Sequence, residues 1–78
     1  MTRLFAKVGT NVLMIEEKPD GIFLYTFLKD GFVGDSWHQG IDHAKEQARY
    51  SYGNGVSDWR EVPANVTDLK AFARENSN

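Results

Sequence analysis

Apolar and polar positions alternate in short blocks through the first half of the chain, and the period then changes. From Arg3 to Val8, Leu4, Ala6 and Val8 fall on one side and Phe5 on the other, the two-residue period of a strand. Gly9-Thr10-Asn11 supplies a turn, and Val12 to Glu16 resumes as a second strand. Pro19-Asp20-Gly21 signals the next turn, because proline presets φ and glycine tolerates positive φ. Ile22 to Leu28 is rich in β-branched and aromatic residues and reads as a third strand. Lys29-Asp30-Gly31 turns the chain again, Asp-Gly being a favoured hairpin pair, and Phe32 to about His38 forms a fourth strand. Tight turns between short strands predict an antiparallel meander.

Both faces of that sheet carry apolar side chains. Phe23, Tyr25 and Phe27 alternate with Ile22, Leu24 and Leu28, and Leu13 and Ile15 alternate with Val12 and Met14. A sheet with one wet face would alternate apolar with polar, so both faces need a cover. From Ile41 the spacing becomes helical: Ile41, Ala44, Ala48 and Tyr52 form one stripe. Asp42 and Glu46 lie in the N-terminal half, where the helix dipole favours acids. Gly53-Asn54-Gly55 ends the helix as a glycine C-cap. Asp58 to Val62 is β-prone and stopped by Pro63, which predicts a fifth, edge strand. Asn65 offers an N-cap for a short last helix whose stripe is Val66, Leu69, Phe72 and Ala73. The expected fold is α+β, a four- to five-stranded antiparallel sheet in β-β-β-β-α-β-α order. One main helix packs on one face, and a short C-terminal helix follows.

Seventy-eight residues make one small domain, expected over residues 1–75 with 76–78 as a frayed tail. The absence of cysteine removes disulfides and thiolate metal sites as staples. Together with the two apolar faces and the narrow last stripe, this predicts a homodimer. Lys7 interrupts the N-terminal apolar positions before signal-peptide length, and no stretch approaches the roughly 18 apolar residues of a membrane span. Cytoplasmic localisation is the default expectation. The net charge of −2 is spread along the chain, without the basic stripe that binding to phosphates requires. Lys45 and Arg49 share their helix with Asp42 and Glu46.

Candidate chemistry is sparse. His38 and His43 are five residues apart across a strand–helix junction, which is no metal-ligand spacing. They read as two ordinary histidines, one at the sheet edge and one on a solvated helix face. Ser36 and His38 share a strand face but Asp35 points away, so no triad is built locally. Gly53-Asn54-Gly55 follows a helix, whereas a phosphate cradle precedes one. No residue pattern calls for a cofactor, a metal or a small-molecule substrate. The aromatic content, two Trp, three Tyr and five Phe, is mostly core, yet tryptophan and tyrosine are also the residues of interface hot spots. The candidate interaction surface is Ser36, His38, Tyr50, Trp59, Leu69 and Phe72. Trp37 is expected inside, under the main helix near Tyr52 and Trp59, and His38 outside on the other face.

The segments Gly34-Asp35-Ser36-Trp37-His38, Ala44-Lys45-x-Gln47-Ala48 and Trp59-x-x-Val62-Pro63 resemble a family of small uncharacterised bacterial proteins. That family carries Gly-Asp-Thr-Trp-His before its helix and Trp-x-x-Ile/Val-Pro after it. The likeness spans residues 34–63, with Ser36 for the usual Thr and Gly40 where Ser commonly caps the helix. More remotely, the sheet followed by Gly-Asp-Ser and an Ala-rich helix is similar to HicB-type antitoxins, although Trp37-His38 replaces their acidic pair. That second likeness implies an antitoxin-like or nucleic-acid-associated alternative. The leading expectation is a non-enzymatic binding or regulatory module acting through protein–protein contacts, and a small enzyme assembled from distant residues ranks third.

Overall fold

A computed structural model describes residues 2–9, 11–27, 33–53, 56 and 58–76. The expected turn at Lys29-Asp30-Gly31 and the pair Asn54-Gly55 lie outside the described residues. The elements are β1 (Arg3–Val8), β2 (Asn11–Lys18), β3 (Gly21–Phe27), β4 (Val33–His38), α1 (Ile41–Tyr52), β5 (Arg60–Glu61) and α2 (Leu69–Glu75). The strands form one antiparallel sheet in the order β4-β3-β2-β1-β5, so the α+β architecture and the meander are as the periodicity indicates.

The second strand runs longer than its apolar run. Glu17 N–H donates to Thr2 C=O (2.9 Å), and Lys18 pairs with Gly21 across Pro19-Asp20. That closure needs Gly21 at φ +146°, a region essentially confined to glycine.

One face of the sheet presents Ala6, Leu13, Ile15, Ile22 and Leu24, and α1 lays Ala44 and Ala48 onto it. Both alanines are fully buried, and their small side chains bring the helix close to the strands. Ile41, Tyr52 and Trp59 pack around this cluster, so the phase of the helical stripe is as expected. Gly53, at φ +92°, donates its N–H to Arg49 C=O (2.8 Å) and ends the helix.

The other face presents Val12 and Met14, covered by Ala73 of α2 with Leu69, Phe72 and Phe5 around it. Phe72 meets Phe5 edge to face, with centroids 5.0 Å apart and planes at 86°. The last helix thus supplies much of the cover expected from a second copy. It starts later than expected: Asp68, not Asn65, is its N-cap, accepting the Ala71 N–H at 3.1 Å. Residues 63–66 form a turn instead, with Val66 N–H on Pro63 C=O. The Arg3 guanidinium donates to the carbonyls of Val66 (2.8 Å), Pro63 (3.0 Å) and Ala64 (3.4 Å). Asn76, assigned to the tail by its polarity, is the C-cap of α2, and its side-chain amide donates to Phe72 C=O (2.8 Å).

Candidate functional site

The largest departure from expectation lies in β4, where side chains face the opposite way. Ser36 pairs with Leu24, and His38 with Ile22, which places both on the α1 face. His38 is 5% exposed and is the buried polar residue of the described core. Trp37 pairs with Phe23, lies on the α2 face and is 54% exposed. The expectation of an inward tryptophan and an outward histidine is therefore reversed. The pairing offset between β3 and β4 decides the facing, since a one-residue shift exchanges every side chain between faces.

Under α1, Ser36 Oγ and His38 Nε2 lie 2.7 Å apart, and Nδ1 of His38 lies 2.9 Å from Nδ1 of His43. The two histidines, read from sequence as unrelated, are in contact. A hydrogen bond at this distance has one Nδ1 carrying the proton and the other accepting it. Burial, and after it the neighbouring His43, lowers the proton affinity of His38 below that of an ordinary histidine. The N–N separation is shorter than the roughly 3.3 Å that two ligands on a tetrahedral zinc span with bonds of about 2.0 Å. Among the described residues no group of three His, Cys, Asp or Glu converges. The Ser36-His38-His43 chain resembles a nucleophile–base relay in order, but Ser36 sits within a strand. The clefts lined by Phe5, Lys7, Asp58 and Arg60, and by Thr2, Arg3, Glu61 and Pro63, lie toward β5, at the far edge of the sheet from β4.

On the α2 face a ladder of rings runs along β3. Phe23 stacks on Tyr25 (6.3 Å, 12°), and Tyr25 meets Phe27 (6.3 Å, 44°). Tyr25 and Phe27 pack against the α2 cluster. Phe23 and Trp37 lie beyond it and stay partly open. The Trp37 indole N–H donates to Asp20 C=O (3.0 Å), and its ring lies over Gly21, where any Cβ would collide with it. Polar groups border the band. Tyr25 O–H donates to Glu16 Oε1 (3.0 Å), Lys18 pairs with Glu16 (3.7 Å), and the Lys18 ammonium lies 5.4 Å from the Phe23 ring centre. Burial first, and then the bond to Glu16, keeps the Tyr25 hydroxyl protonated above its usual range.

The six residues expected to form one surface are dispersed. Ser36 and His38 are together but under α1. Trp59 packs against the α1-side core, and Leu69 and Phe72 pack within the α2-side cluster. Tyr50 lies on the outer side of α1, 89% exposed and apart from the other five. The residues that do form an open surface are Trp37 and Phe23, and β4 beneath them is the sheet's edge. No described backbone group pairs with its outer side. The signal for this surface was the Gly-Asp-Ser-Trp segment itself, once its facing is fixed. No helix is long and apolar enough among the described residues to cross a membrane. Comparison of the chain with family models, with curated proteins and with solved structures finds no match in any of the three.

Proposed function

We propose that the protein is a small non-enzymatic binding module that takes up an extended polypeptide strand along the outer side of β4, anchored on Trp37. The observation that carries the reading is the coincidence of an open strand edge and an exposed tryptophan on the same six residues. An unpaired edge offers a ready row of backbone donors and acceptors. Strand addition uses that row for affinity and neighbouring side-chain sites for specificity. β4 carries no lysine or proline that would blunt it, and Asp35 is its one acidic or basic residue besides the buried histidine, whose lowered proton affinity favours the neutral ring. Trp37 with Phe23 supplies an aromatic centre, and Glu16, Lys18 and the Tyr25 hydroxyl supply a polar rim, the usual anatomy of a contact patch.

Photo-crosslinking in the native host tests this. A photoreactive phenylalanine analogue at position 37 should capture polypeptide, and the same analogue at position 50 on α1 should not. Capture of no polypeptide from position 37, or equal capture from both positions, overturns the reading.

A further inference from the structure

We infer that the strand added to β4 is β4 of a second copy of this chain, antiparallel, with Ser36 on the two-fold axis. The inference rests on the strand-addition reading and names its occupant. A two-fold dimer of this kind is isologous, each residue meeting its counterpart's surroundings. Side chains alternate along a strand, so the two α1 faces stay on one side only when opposed residues share a parity. Within Val33–His38, centring the axis on Gly34 or on Trp37 leaves just the three residues around the axis paired. Centring it on Asp35 gives a long overlap but opposes two carboxylates, and like charges directly across a ladder destabilise it.

Centring on Ser36 pairs Gly34 to His38 of both strands and moves the two carboxylates from direct opposition to the diagonal. On the α1 face the smallest residue, Gly34, falls opposite the largest, His38, and two serines meet at the axis. On the α2 face Asp35 lies opposite Trp37. The two Trp37 rings become diagonal neighbours, about 7–8 Å apart at the backbone and within reach of aromatic side chains. Because Phe23 is registered with Trp37, the aromatic band then runs without interruption through both copies. The contact is narrower than the roughly 800 Å² per partner of standard interfaces, so the dimer is reversible.

Sedimentation equilibrium from low micromolar to near-millimolar wild-type protein should show a monomer passing into a dimer. A monomer throughout overturns the inference. The register is read by thiol chemistry, since the chain has no cysteine of its own. Ser36→Cys should oxidise to a disulfide dimer about tenfold or more faster than Tyr50→Cys, because directly opposed antiparallel residues lie within disulfide reach. Equal rates, or faster oxidation of the Tyr50→Cys variant, show that the copies meet elsewhere and overturn it. Capture of a different chain from position 37 by a monomeric protein sinks the second copy and leaves strand addition standing. No polypeptide captured there sinks both.

Discussion

A side chain at position 21 would have to share space with the Trp37 indole, and the φ of +146° there already disfavours one. The glycine and the tryptophan are therefore one device: the missing Cβ lets the ring lie down on the turn and donate to Asp20. Gly21→Val should cost about 1–3 kcal/mol for the forced backbone alone. By the usual scaling of about 4–8 °C per kcal/mol for a domain of this size, melting should fall by several degrees or more. The tryptophan signal in near-ultraviolet dichroism should change with it. An unaltered melt and spectrum would show that the indole does not rest on Gly21. Under α1, Ala48 is fully buried whereas Arg49 is exposed. Ala48→Asp places an unpaired carboxylate between helix and sheet and should cost more than about 3 kcal/mol. Arg49→Asp should stay within about 1 kcal/mol, as surface changes do. Equal melting of the two variants would mean the helix is rotated from the phase described.

At the level of elements, the strand and helix positions were legible because periodicity is local: a stripe at 41, 44, 48 and 52 has one helical solution. The facing of β4 was not legible, because it depends on a pairing between strands. A two-residue turn centred on Asp30-Gly31 would set Trp37 against Leu24, on the α1 face. The structure sets Ser36 against Leu24, one residue away, and that offset sends Trp37 out and His38 in. The start of α2 was misplaced for a related reason. Asn65 and Asp68 are both competent caps, and the choice is made by Arg3, far away in sequence, which claims the 63–66 turn. The inverted β4 leads to a pH dependence. Among the described residues His38 of β4 bonds to His43 of α1, and β3 brings Ile22 opposite it with Leu24 next along the same face, while Asp42 is exposed on α1 and Asp35 lies on the opposite face. Folding lowers the proton affinity of His38, so the unfolded chain binds that proton more tightly. Stability is then full above the ordinary histidine range near 6.5 and falls as pH drops through and below it. Melting temperatures should decline from about pH 7 to 5, and His38→Gln should flatten that decline. An equally steep decline in the variant would place its origin elsewhere.

For the molecule as a whole, Arg3 is the side chain that ties the first strand to the segment before α2. Its three carbonyl partners lie 60 to 63 residues away along the chain. Arg3→Ala should lower stability by about 1–2 kcal/mol, the range for hydrogen bonds from a charged donor reduced for its partial exposure. Arg3→Lys should recover little, since a point ammonium does not reproduce the guanidinium fork. Denaturant midpoints with an unchanged slope would report this cleanly, and full recovery by lysine would show that charge, not geometry, does the holding.

The strand order carries a consequence in time. From β1 through β4 every neighbour in the sheet is also the next strand in sequence, whereas β5 returns to pair with β1 across most of the chain. Pairings that close short loops form readily, and one that closes a long loop carries a larger entropic barrier. The meander with α1 is therefore the expected nucleus, and docking of β5 beside β1 and of α2 on the opposite sheet face comes after the rate-limiting barrier. Arg3→Ala should then speed escape from the native state while leaving the approach to it nearly unchanged. In a chevron plot, the unfolding arm should rise and the folding arm stay in place.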